Sequence, residues 1–336
     1  VVRLERVEGL ENKEDEAVSD IFKLQDKGKR NLALRYEFTF QLKRLMRNKK
    51  LPYKRYQIGE VFRDEPISAN RFRQFTQCDI DSIGSNVKDD AEILAVSNEI
   101  MKKLGIKPII LINNRSLLNE ILNDNKIKEK DKDQVLREID KYDKIEEKEV
   151  RANLKKLGAE KVLDALKKGE KYFSKFESYK EILELMKYCK IYRINALFSP
   201  TLIRGLSYYN KNVFEIKTKG IKETIIAGGS YKFNNVQCTG VAFGLDRIAM
   251  LAKISIEKEK YLVVSLGKDK EAIDLADKLR RQSKVTSVYY GKPSRALDYA
   301  NSYGFTKAIF VGEKEIKARK FKVKDMKTGK ESLLKI

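Results

Sequence analysis

Alternating apolar and polar residues predict two antiparallel hairpins in the first part of the chain. Residues 18–26 and 31–40 are strand-like runs on either side of the polar turn KGKR, which predicts the first hairpin. Residues 56–62 and 74–84 predict a second, longer hairpin, whose strands are joined by the polar, proline-containing loop 63–73. Both hairpins are expected to belong to a large antiparallel-sheet domain.

Helical periodicity follows each of these hairpins. Residues 41–49 predict an amphipathic helix, and residues 89–104 predict a longer helix with an acidic first turn. A buried strand is predicted at 107–114. From 115 to 190, apolar residues recur at helical spacing among many Lys and Glu residues, and no strand pattern interrupts them. We therefore predict an inserted helical subdomain in this region.

Strand patterns return after the helical insertion and change character near residue 254. Three further strands are predicted, the last of which runs through glycines into a helix: 201–219, 223–233 and 237–253. After the charged segment SIEKEK, strands and helices alternate, which predicts a small α/β domain. The predicted fold class is therefore α+β, with an antiparallel-sheet domain at 1–114 and 191–254, a helical insertion at 115–190 and an α/β domain at 259–336.

The chain is strongly basic. Its 336 residues include 71 Lys and Arg against 49 Asp and Glu, which gives a formal net charge of +22. Such an excess favours a polyanionic partner, most commonly nucleic acid. A lysine-rich surface that reflects a biased genome or a hot environment is the alternative explanation.

The apolar runs and the cysteine spacing indicate the cellular location of the protein. No run of about 18 apolar residues occurs, so no membrane span is expected, and VVRLERVEGLENKED has no apolar signal core. Cys78, Cys189 and Cys238 lie far apart without a C-x-x-C pair, so neither a disulfide framework nor a four-Cys zinc site is expected. We expect a cytoplasmic protein without membrane contact. The sequence lacks an initiator Met, which is consistent with a chain that begins inside a longer native protein.

The chain contains no histidine. This excludes Ser-His and Cys-His catalysis, H-E-x-x-H metalloproteases and every zinc site that uses histidine. A kinase loop of the H-R-D type and a G-x-x-x-x-G-K-[ST] phosphate loop are also absent. If the protein is an enzyme, arginines, carboxylates and a metal ion must carry its chemistry.

The second hairpin contains the strongest candidate binding surface. Alternate residues of a strand share a face, and one face here is polar: Arg71, Arg73, Phe75, Gln77, Asp79 and Asp81. Burial of this row without a partner would be costly, so a polar ligand on the sheet would satisfy it. A solvated face is the alternative. Arg63, Asp64 and Glu65 on the other side of the loop favour a phosphate ligand.

Three other segments add candidates. The first hairpin places polar residues on one face: Arg35, Glu37 and Thr39. Arg247 comes early in a helix that follows a strand, where it could hold a phosphate, or it could form a surface salt bridge with Asp246. Gly228 and Gly229 in AGGSY allow a close approach of backbones, or they form a simple bulge.

Together these segments resemble a known enzyme family. FRDEPISANRFRQF at 62–75 and GVAFGLDRI at 240–248 look like motifs 2 and 3 of class II aminoacyl-tRNA synthetases. RGLSYY at 204–209 is similar to Arg-Gly-Leu-Asp-Tyr-Tyr, a signature of histidyl-tRNA synthetases, and AGGSY resembles their Gly-Gly-Arg-Tyr-Asp signature. LRYEFT and QCDID match two further elements of that family, and 259–336 resembles its anticodon-binding domain. The resemblance implies a class II catalytic domain, an antiparallel sheet flanked by helices, around the helical insertion.

The resemblance implies which residues bind histidine: Glu37, Thr39, Gln77, Asp81, Tyr208, Tyr209 and Tyr231. The first three would contact the α-amino and carboxylate groups of the amino acid. Asp81 and Tyr209 would hydrogen-bond the imidazole, and Tyr231 would pack beside it.

It likewise implies an ATP site with these residues: Arg63, Glu65, Arg71, Phe75 and Arg247. Phe75 would stack on adenine and Glu65 would contact the adenine end, while Arg71 and Arg247 would hold the β- and γ-phosphates. Arg63 and Arg204 would be the catalytic residues at the α-phosphate. ATP would be accompanied by Mg²⁺, and no residue is implied as a protein ligand of the metal.

The implied function is a histidine–tRNA ligase of protein biosynthesis. It would activate L-histidine with ATP to histidyl-adenylate and transfer the amino acid to tRNA(His), as a cytoplasmic homodimer. Attack of the histidine carboxylate on the α-phosphorus needs positioning and charge neutralisation, not a side-chain nucleophile. Arginines and Mg²⁺ can supply that charge, so a chain without histidine loses nothing.

Several positions depart from the family pattern. Ser207 stands where the first signature has Asp, and Ser230 and Lys232 stand where the second has Arg and Asp. Asp246 replaces the more common Glu of motif 3. VVRLERVE is a candidate for the terminal strand of motif 1, with Glu5 in place of a proline, but the long helix that precedes it at the dimer interface of this class is absent.

Three alternative functions are considered beside the ligase. A catalytically inactive paralogue could act as a sensor or regulatory subunit, although Arg63, Arg204 and Arg247 argue for a working active site. A class II synthetase for another amino acid is disfavoured by RGLSYY. A nucleic-acid-binding protein without catalysis fits the charge but leaves the polar sheet face unexplained.

Overall fold

The computed structural model describes residues 2–3, 20–46, 49–68, 71–204, 208–233, 235–254, 259–318 and 320–334. The chain divides into two units, Val1–Ile254 and Ser255–Ile336. Among the described residues, the first unit contains a three-stranded and a seven-stranded sheet, and the second contains a five-stranded sheet. No helix in the described part of the chain is both long and apolar enough to cross a lipid bilayer.

The first predicted hairpin is present in a shortened form. Strands β1 (Val2–Arg3), β2 (Lys23–Gln25) and β3 (Asn31–Ala33) form an antiparallel sheet with β3 in the middle. Residues 18 and 19 of the predicted first strand lie outside the described residues, as does most of VVRLERVE.

The prediction that the second strand of this hairpin reaches residue 40 is wrong. Tyr36, Glu37 and Phe38 are buried one after another, whereas a hairpin strand with a solvated face would expose alternate residues. Helix α1 (Thr39–Met46) begins within the predicted strand. Glu37 and Thr39 therefore do not share a strand face.

The large sheet is mostly antiparallel, as predicted. Its strands are β4 (Tyr53–Phe62), β5 (Gln74–Ile83), β6 (Ile109–Asn114), β7 (Ala196–Phe198), β8 (Tyr209–Lys217), β9 (Ile226–Phe233) and β10 (Val236–Gly244). Their order is β4-β5-β10-β9-β8-β6-β7, and β6 and β7 are parallel neighbours. This order places β5, from the second hairpin, beside the glycine-containing strand β10, and β9 follows on the other side of β10.

The second hairpin pairs β4 with β5 in a register that sets Arg55 opposite Asp81. Strand β4 begins at Tyr53, earlier than predicted, and so includes Arg55. Strand β5 begins only at Gln74. The expectation that Arg71 and Arg73 share the strand face of Asp81 is therefore wrong, because both arginines lie in the loop before β5.

Helices cover the sheet and fill the predicted insertion. They are α2 (Val87–Lys103), α3 (Arg115–Asp124), α4 (Lys132–Asp140), α5 (Glu147–Lys156), α6 (Glu160–Leu166), α7 (Glu170–Phe173), α8 (Tyr179–Ile191) and α9 (Leu245–Leu251). Asn86 caps α2 together with Asp89. Within 115–190, which is described throughout, no strand occurs. The buried residues of this helical segment form one cluster with those of the sheet, including Leu118, Phe173 and Phe214.

The C-terminal unit is an α/β sandwich, as the alternating pattern predicts. Its elements are β11 (Lys260–Ser265), α10 (Asp269–Arg281), β12 (Val285–Tyr290), α11 (Pro293–Ser302), β13 (Lys307–Val311), α12 (Glu313–Ala318), β14 (Phe321–Asp325) and β15 (Glu331–Leu334). Strand β11 is parallel to β12 and β13. Val263 packs with α10 residues, whereas Leu262 and Val264 pack with α11 residues, so helices cover both faces of the sheet.

Candidate active site

A cavity of about 590 Å³ lies over the large sheet. Every residue that the family resemblance implies for catalysis and for the histidine and ATP sites lines it: Glu37, Thr39, Arg63, Glu65, Arg71, Phe75, Gln77, Asp81, Arg204, Tyr208, Tyr209, Tyr231 and Arg247. Of the further candidates from the two hairpins, Asp79 lines it, whereas Arg35, Asp64 and Arg73 do not. Segments that are far apart in the sequence thus meet at one place. The assignment of each residue to a group of a ligand stays a prediction.

Small residues on the central strands form the floor of the cavity. Ala227 of β9 and Gly240, Ala242 and Gly244 of β10 line it. Gly240 lies opposite Asp81 in the sheet register, and a Cβ at this position would lie 2.3 Å from Asp81 Oδ1. The missing side chain therefore makes room both for the carboxylate and for a ligand above the sheet.

The close backbone approach predicted at Gly228 and Gly229 is confirmed. A Cβ at Gly228 would lie 2.0 Å from the carbonyl oxygen of Gly240, and one at Gly229 would lie 2.9 Å from the ring of Tyr209. The irregularity in this part of the sheet lies on β8, where the register shifts between Tyr209 and Val213.

Two neighbours hold Asp81 in place. Its Oδ1 accepts a hydrogen bond of 2.8 Å from the Tyr231 hydroxyl. Its Oδ2 accepts hydrogen bonds from Arg55 Nε at 3.1 Å and Arg55 Nη2 at 3.0 Å. Burial raises the pKa of Asp81, although Arg55 and Tyr231 both favour the charged form. The result is a fixed carboxylate, suited to an N–H donor on a ligand.

Three tyrosines form one wall. The ring centroid of Tyr208 lies 4.7 Å from that of Tyr209 and 5.7 Å from that of Tyr231. The Tyr208 hydroxyl donates to Glu37 Oε2 at 3.2 Å. Burial raises the pKa of all three phenols, which therefore stay neutral donors at neutral pH. The family resemblance implies that Tyr231 packs beside the imidazole, and in the structure its hydroxyl also donates a hydrogen bond to Asp81.

A second buried carboxylate lies near Asp81. Gln77 Nε2 donates to Asp79 Oδ1 at 2.7 Å, and Gln77 Oε1 accepts from Arg63 Nη2 at 3.3 Å. Burial, followed by the charges of Asp81 and Glu37, raises the pKa of Asp79 well above its ordinary value. Because these carboxylates repel one another, a cationic group such as an ammonium would be stabilised here.

Arginines and an aromatic ring line another part of the cavity. The Arg63 guanidinium lies 4.5 Å from the ring centroid of Tyr36 and 5.1 Å from that of Phe75. Glu65 Oε2 lies 3.2 Å from Arg71 Nη1, and Glu65 Oε1 lies 4.0 Å from Arg63 Nη1. The loop before β5 thus brings two arginines and a carboxylate to the cavity.

Arg247 adds a third cation to this group. Burial and the charges of Arg71 and Arg63 lower the pKa of Arg247. An anion held among the three arginines would remove their mutual repulsion. The neighbouring Asp246 accepts a hydrogen bond of 2.6 Å from the backbone N–H of Thr76, which ties the start of α9 to β5.

Arg204 is held by a carboxylate that the sequence did not indicate. Its Nη1 lies 2.7 Å from Glu215 Oε1. Burial acts to lower the pKa of Arg204, but Glu215 and Tyr209 outweigh it, so the pKa is raised and the guanidinium stays charged. Its buried Nε has no hydrogen-bond partner among the described residues.

Sequence reasoning missed several residues at or beside the cavity, among them Arg55, Glu215 and Asp143. Arg55 lies just before the predicted start of its strand. Glu215 shares a strand face with Val213 and Lys217 on β8, so the strand period could have indicated it. Asp143 follows α4 and lines the cavity from the helical segment, and no local pattern connects that segment with the sheet.

The departures from the family signatures have different surroundings. The Ser230 hydroxyl donates to the buried Asp90 at 3.0 Å, and Asn212 Nδ2 donates to Asp90 Oδ2 at 2.8 Å. Burial raises the pKa of Asp90 to about 6. Lys232 is exposed, and Ser207 lies outside the described residues. Ser230 is therefore part of a buried hydrogen-bond network.

Known proteins share both the sequence pattern and the fold. The family model described as histidyl-tRNA synthetase matches residues 2–248. The chain is 34% identical to histidine–tRNA ligase 1 of Bacillus cereus strain ATCC 10987, over 94% of this chain and 82% of that protein. It is 34% identical to histidine–tRNA ligase of Methanocaldococcus jannaschii, over 96% and 85%. The crystal structure of histidyl-tRNA synthetase from Nostoc sp. PCC 7120 has the same fold, with a TM-score of 0.82 at 22% identity over 99% of this chain and 86% of that one.

Proposed function

The chain belongs to the histidyl-tRNA synthetase family, and from this premise we propose that it is a histidine–tRNA ligase. It activates L-histidine with ATP and transfers the histidyl group to tRNA(His). The histidine carboxylate attacks the α-phosphorus and pyrophosphate leaves. A tRNA hydroxyl then attacks the acyl carbon of the adenylate, and AMP leaves. These steps depend on positioning and on charge neutralisation, which suits a chain without histidine.

The observation that carries this proposal is the division of charge within one cavity. Carboxylates line it at Glu37, Asp79 and Asp81, and the cationic side chains of Arg63, Arg71, Arg204 and Arg247 line it as well. The carboxylates suit the ammonium and imidazole groups of histidine. The arginines suit the amino acid's carboxylate and the phosphates with which it must react.

Asp81 and Tyr231 are the best candidates for reading the imidazole ring. Both side chains are buried, and the Tyr231 hydroxyl donates a hydrogen bond of 2.8 Å to Asp81 Oδ1. A nitrogen of the imidazole ring would therefore face two oxygen atoms in fixed positions. An amino acid without ring nitrogens would leave these buried groups without a ligand partner, which disfavours its binding strongly. The tyrosine wall supports this selection by excluding water.

We assign ATP to the arginine-lined part of the cavity. Phe75 offers a ring for adenine, and Arg71 and Arg247 are placed to hold phosphates. Mg²⁺ is expected with the ATP. The described residues include no cluster of three or more side chains that could bind a metal by themselves, so the phosphate oxygens would supply most of its ligands. The bound ion would neutralise charge on those phosphates.

The remaining partners follow from charge and from one exposed edge. The net charge of +22 supports binding of tRNA(His). Strand β4 is an edge strand of the large sheet, and Tyr56 and Ile58 on it are 74% and 57% exposed. Such an apolar edge suits a subunit interface, which supports a homodimer. A cytoplasmic location is proposed with the role in protein synthesis.

Charging of tRNA(His) tests this function directly. We expect purified protein to attach radiolabelled histidine to a tRNA(His) transcript in the presence of ATP and Mg²⁺. Another tRNA of equal length, at the same ionic strength, is the control for non-specific charging. Histidine binding without adenylate formation or charging would contradict the ligase and would favour the catalytically inactive sensor instead.

A further inference from the structure

A row of charged side chains connects the helical insertion with Arg204. Asp143, which follows α4, places its Oδ2 3.2 Å from Lys217 Nζ. Lys217 Nζ lies 3.7 Å from Glu215 Oε2, and Glu215 Oε1 lies 2.7 Å from Arg204 Nη1. All four residues line the cavity. Charges from the insertion therefore reach a residue of the proposed reaction centre through three contacts.

Glu215 is the fixed member of this row. It lies on β8 opposite Ala227 of β9, and its Oε2 accepts a 2.7 Å hydrogen bond from the Thr224 hydroxyl. Its side chain is only 11% exposed, so the carboxylate has little freedom to turn away.

The position of the Arg204 side chain is less restrained than that of Glu215. It lies before β8 in a segment outside helices and strands, and its buried Nε has no partner among the described residues. A long side chain on such a segment has many rotamers to choose from. The contact with Glu215 is thus the main restraint on the direction of the guanidinium.

Lys217 is shared between two carboxylates. It is closer to Asp143, at 3.2 Å, than to Glu215, at 3.7 Å. A cation that moves toward Glu215 competes with Arg204 for the same carboxylate, whereas a cation drawn toward Asp143 leaves Glu215 to Arg204. The position of Asp143 consequently affects how firmly Glu215 holds the arginine.

We propose that Glu215 is a positioning residue for Arg204 and that Asp143 of the helical insertion tunes this contact through Lys217. The proposal rests on the proposed function, in which Arg204 contacts the α-phosphate. It makes the helical insertion a contributor to the rate of histidine activation, even though Asp143 touches neither Arg204 nor the reacting atoms.

The first test replaces Glu215 in the full chain and measures histidine-dependent exchange of pyrophosphate into ATP. Glu215→Gln keeps the size of the side chain and an oxygen for Arg204 but removes the charge that orients it. We expect kcat to fall roughly 10- to 100-fold, with a histidine KM within about threefold of wild type. Glu215→Ala should lower kcat further.

Measurement of Tm distinguishes a positioning role of Glu215 from a merely structural one. We expect the Tm of Glu215→Gln to stay close to that of wild type while kcat falls. An unchanged kcat would overturn the proposal, as would a fall in kcat that is matched by the rise in histidine KM or explained by unfolding at the assay temperature. Absence of exchange in the wild type would instead contradict the proposed function.

The second test is a double-mutant cycle on the insertion. Asp143→Asn should lower kcat about two- to fivefold, which is the range for a partly exposed ion pair. In a Lys217→Met background the same change should have no further effect, because its intermediary is gone. Asp133→Asn is the matched control, since Asp133 lies in the same helical segment, pairs with Arg115 at 2.8 Å instead and does not line the cavity.

The outcome of this double-mutant cycle decides whether Asp143 acts on Glu215 through Lys217. An effect of Asp143→Asn that disappears in the Lys217→Met background, together with an unchanged Asp133→Asn variant, supports the connection. An equal effect in both backgrounds, no effect in either, or an equal effect of Asp133→Asn would overturn it.

Discussion

Tyr231 on β9 donates a hydrogen bond of 2.8 Å to Asp81 on β5, two strands away. The contact passes over β10 at Gly240, where a Cβ would lie 2.3 Å from Asp81 Oδ1. The two side chains can meet only because the strand between them carries no side chain at this position. Three distant parts of the sequence are thereby combined into one recognition element.

Removal of the Tyr231 hydroxyl should weaken histidine binding. Tyr231→Phe keeps the ring but leaves Asp81 Oδ1 without its donor, and the loss of one such buried hydrogen bond to a charged group is about 1.5–3 kcal/mol. We expect the histidine KM in pyrophosphate exchange to rise about 10- to 100-fold, while the KM for ATP stays near that of wild type.

Asp81→Asn is the companion variant. It should raise the histidine KM strongly as well, and it should also lower the Tm, because Arg55 then remains buried without its carboxylate. An unchanged histidine KM in both variants would mean that other residues read the ring.

A methyl group at Gly240 should disturb the contact between Asp81 and Tyr231. Gly240→Ala brings a Cβ to 2.3 Å from Asp81 Oδ1 and 3.0 Å from the backbone oxygen of Ile80, so the carboxylate must move. We expect a rise of at least tenfold in histidine KM, because small displacements in a preorganised site have large effects. Gly169→Ala is the control, since a Cβ there meets nothing within 4 Å; equal behaviour of the two variants would contradict this account.

Arg204→Ala should act on the chemical step more than on histidine binding. The charge that Arg204 is assigned to stabilise develops at the α-phosphate in the transition state, so kcat should fall about 10²- to 10³-fold. The histidine KM should rise far less. Steady-state pyrophosphate exchange at saturating ATP measures both values. A loss confined to the histidine KM would assign Arg204 to the amino acid instead.

The buried Asp90 should give the stability a defined pH dependence. Its pKa in the folded protein, about 6, lies above the ordinary 3.8 because burial disfavours the charge. Between about pH 4 and pH 6 the native carboxyl stays protonated while the unfolded one is charged. Its contribution to the free energy of unfolding therefore falls as the pH rises through that window and is constant above it.

Urea unfolding of wild type and Asp90→Asn at pH 4, 5, 6 and 7 tests this sign. The stability of wild type relative to the variant should decrease by up to about 3 kcal/mol from pH 4 to pH 7, which corresponds to a shift of about two pKa units. A difference that is independent of pH, or that increases with pH, would show that Asp90 is charged without penalty in the native state.

Strand periodicity predicted the large sheet, and signature motifs indicated many of the residues that line its cavity. Alternation along QFTQCDIDSI placed Gln77, Asp79 and Asp81 on one face of β5, and the structure brings all three to the cavity. The same reasoning failed at 34–40, where Tyr36 to Phe38 are buried one after another against the rest of the protein. Tertiary packing overrides the local strand pattern there.

The partners of the predicted residues could not be found from local patterns. Arg55 meets Asp81 because β4 and β5 pair in one particular register, and Glu215 on β8 meets Arg204, which belongs to no strand. Asp143 comes to the cavity from a helical segment whose sequence resembles any solvated helix. Such contacts depend on how separate elements pack, which the sequence pattern of one element does not contain.

The most direct test of the central claim is pyrophosphate exchange into ATP with a panel of all twenty amino acids. The account predicts exchange with histidine at least about 10³-fold faster than with any other amino acid, because the others leave the buried Asp81 and Tyr231 without a ligand partner. No exchange with histidine, under conditions in which ATP binds, would contradict the assignment of this cavity to histidine activation. So would equal exchange with a second amino acid.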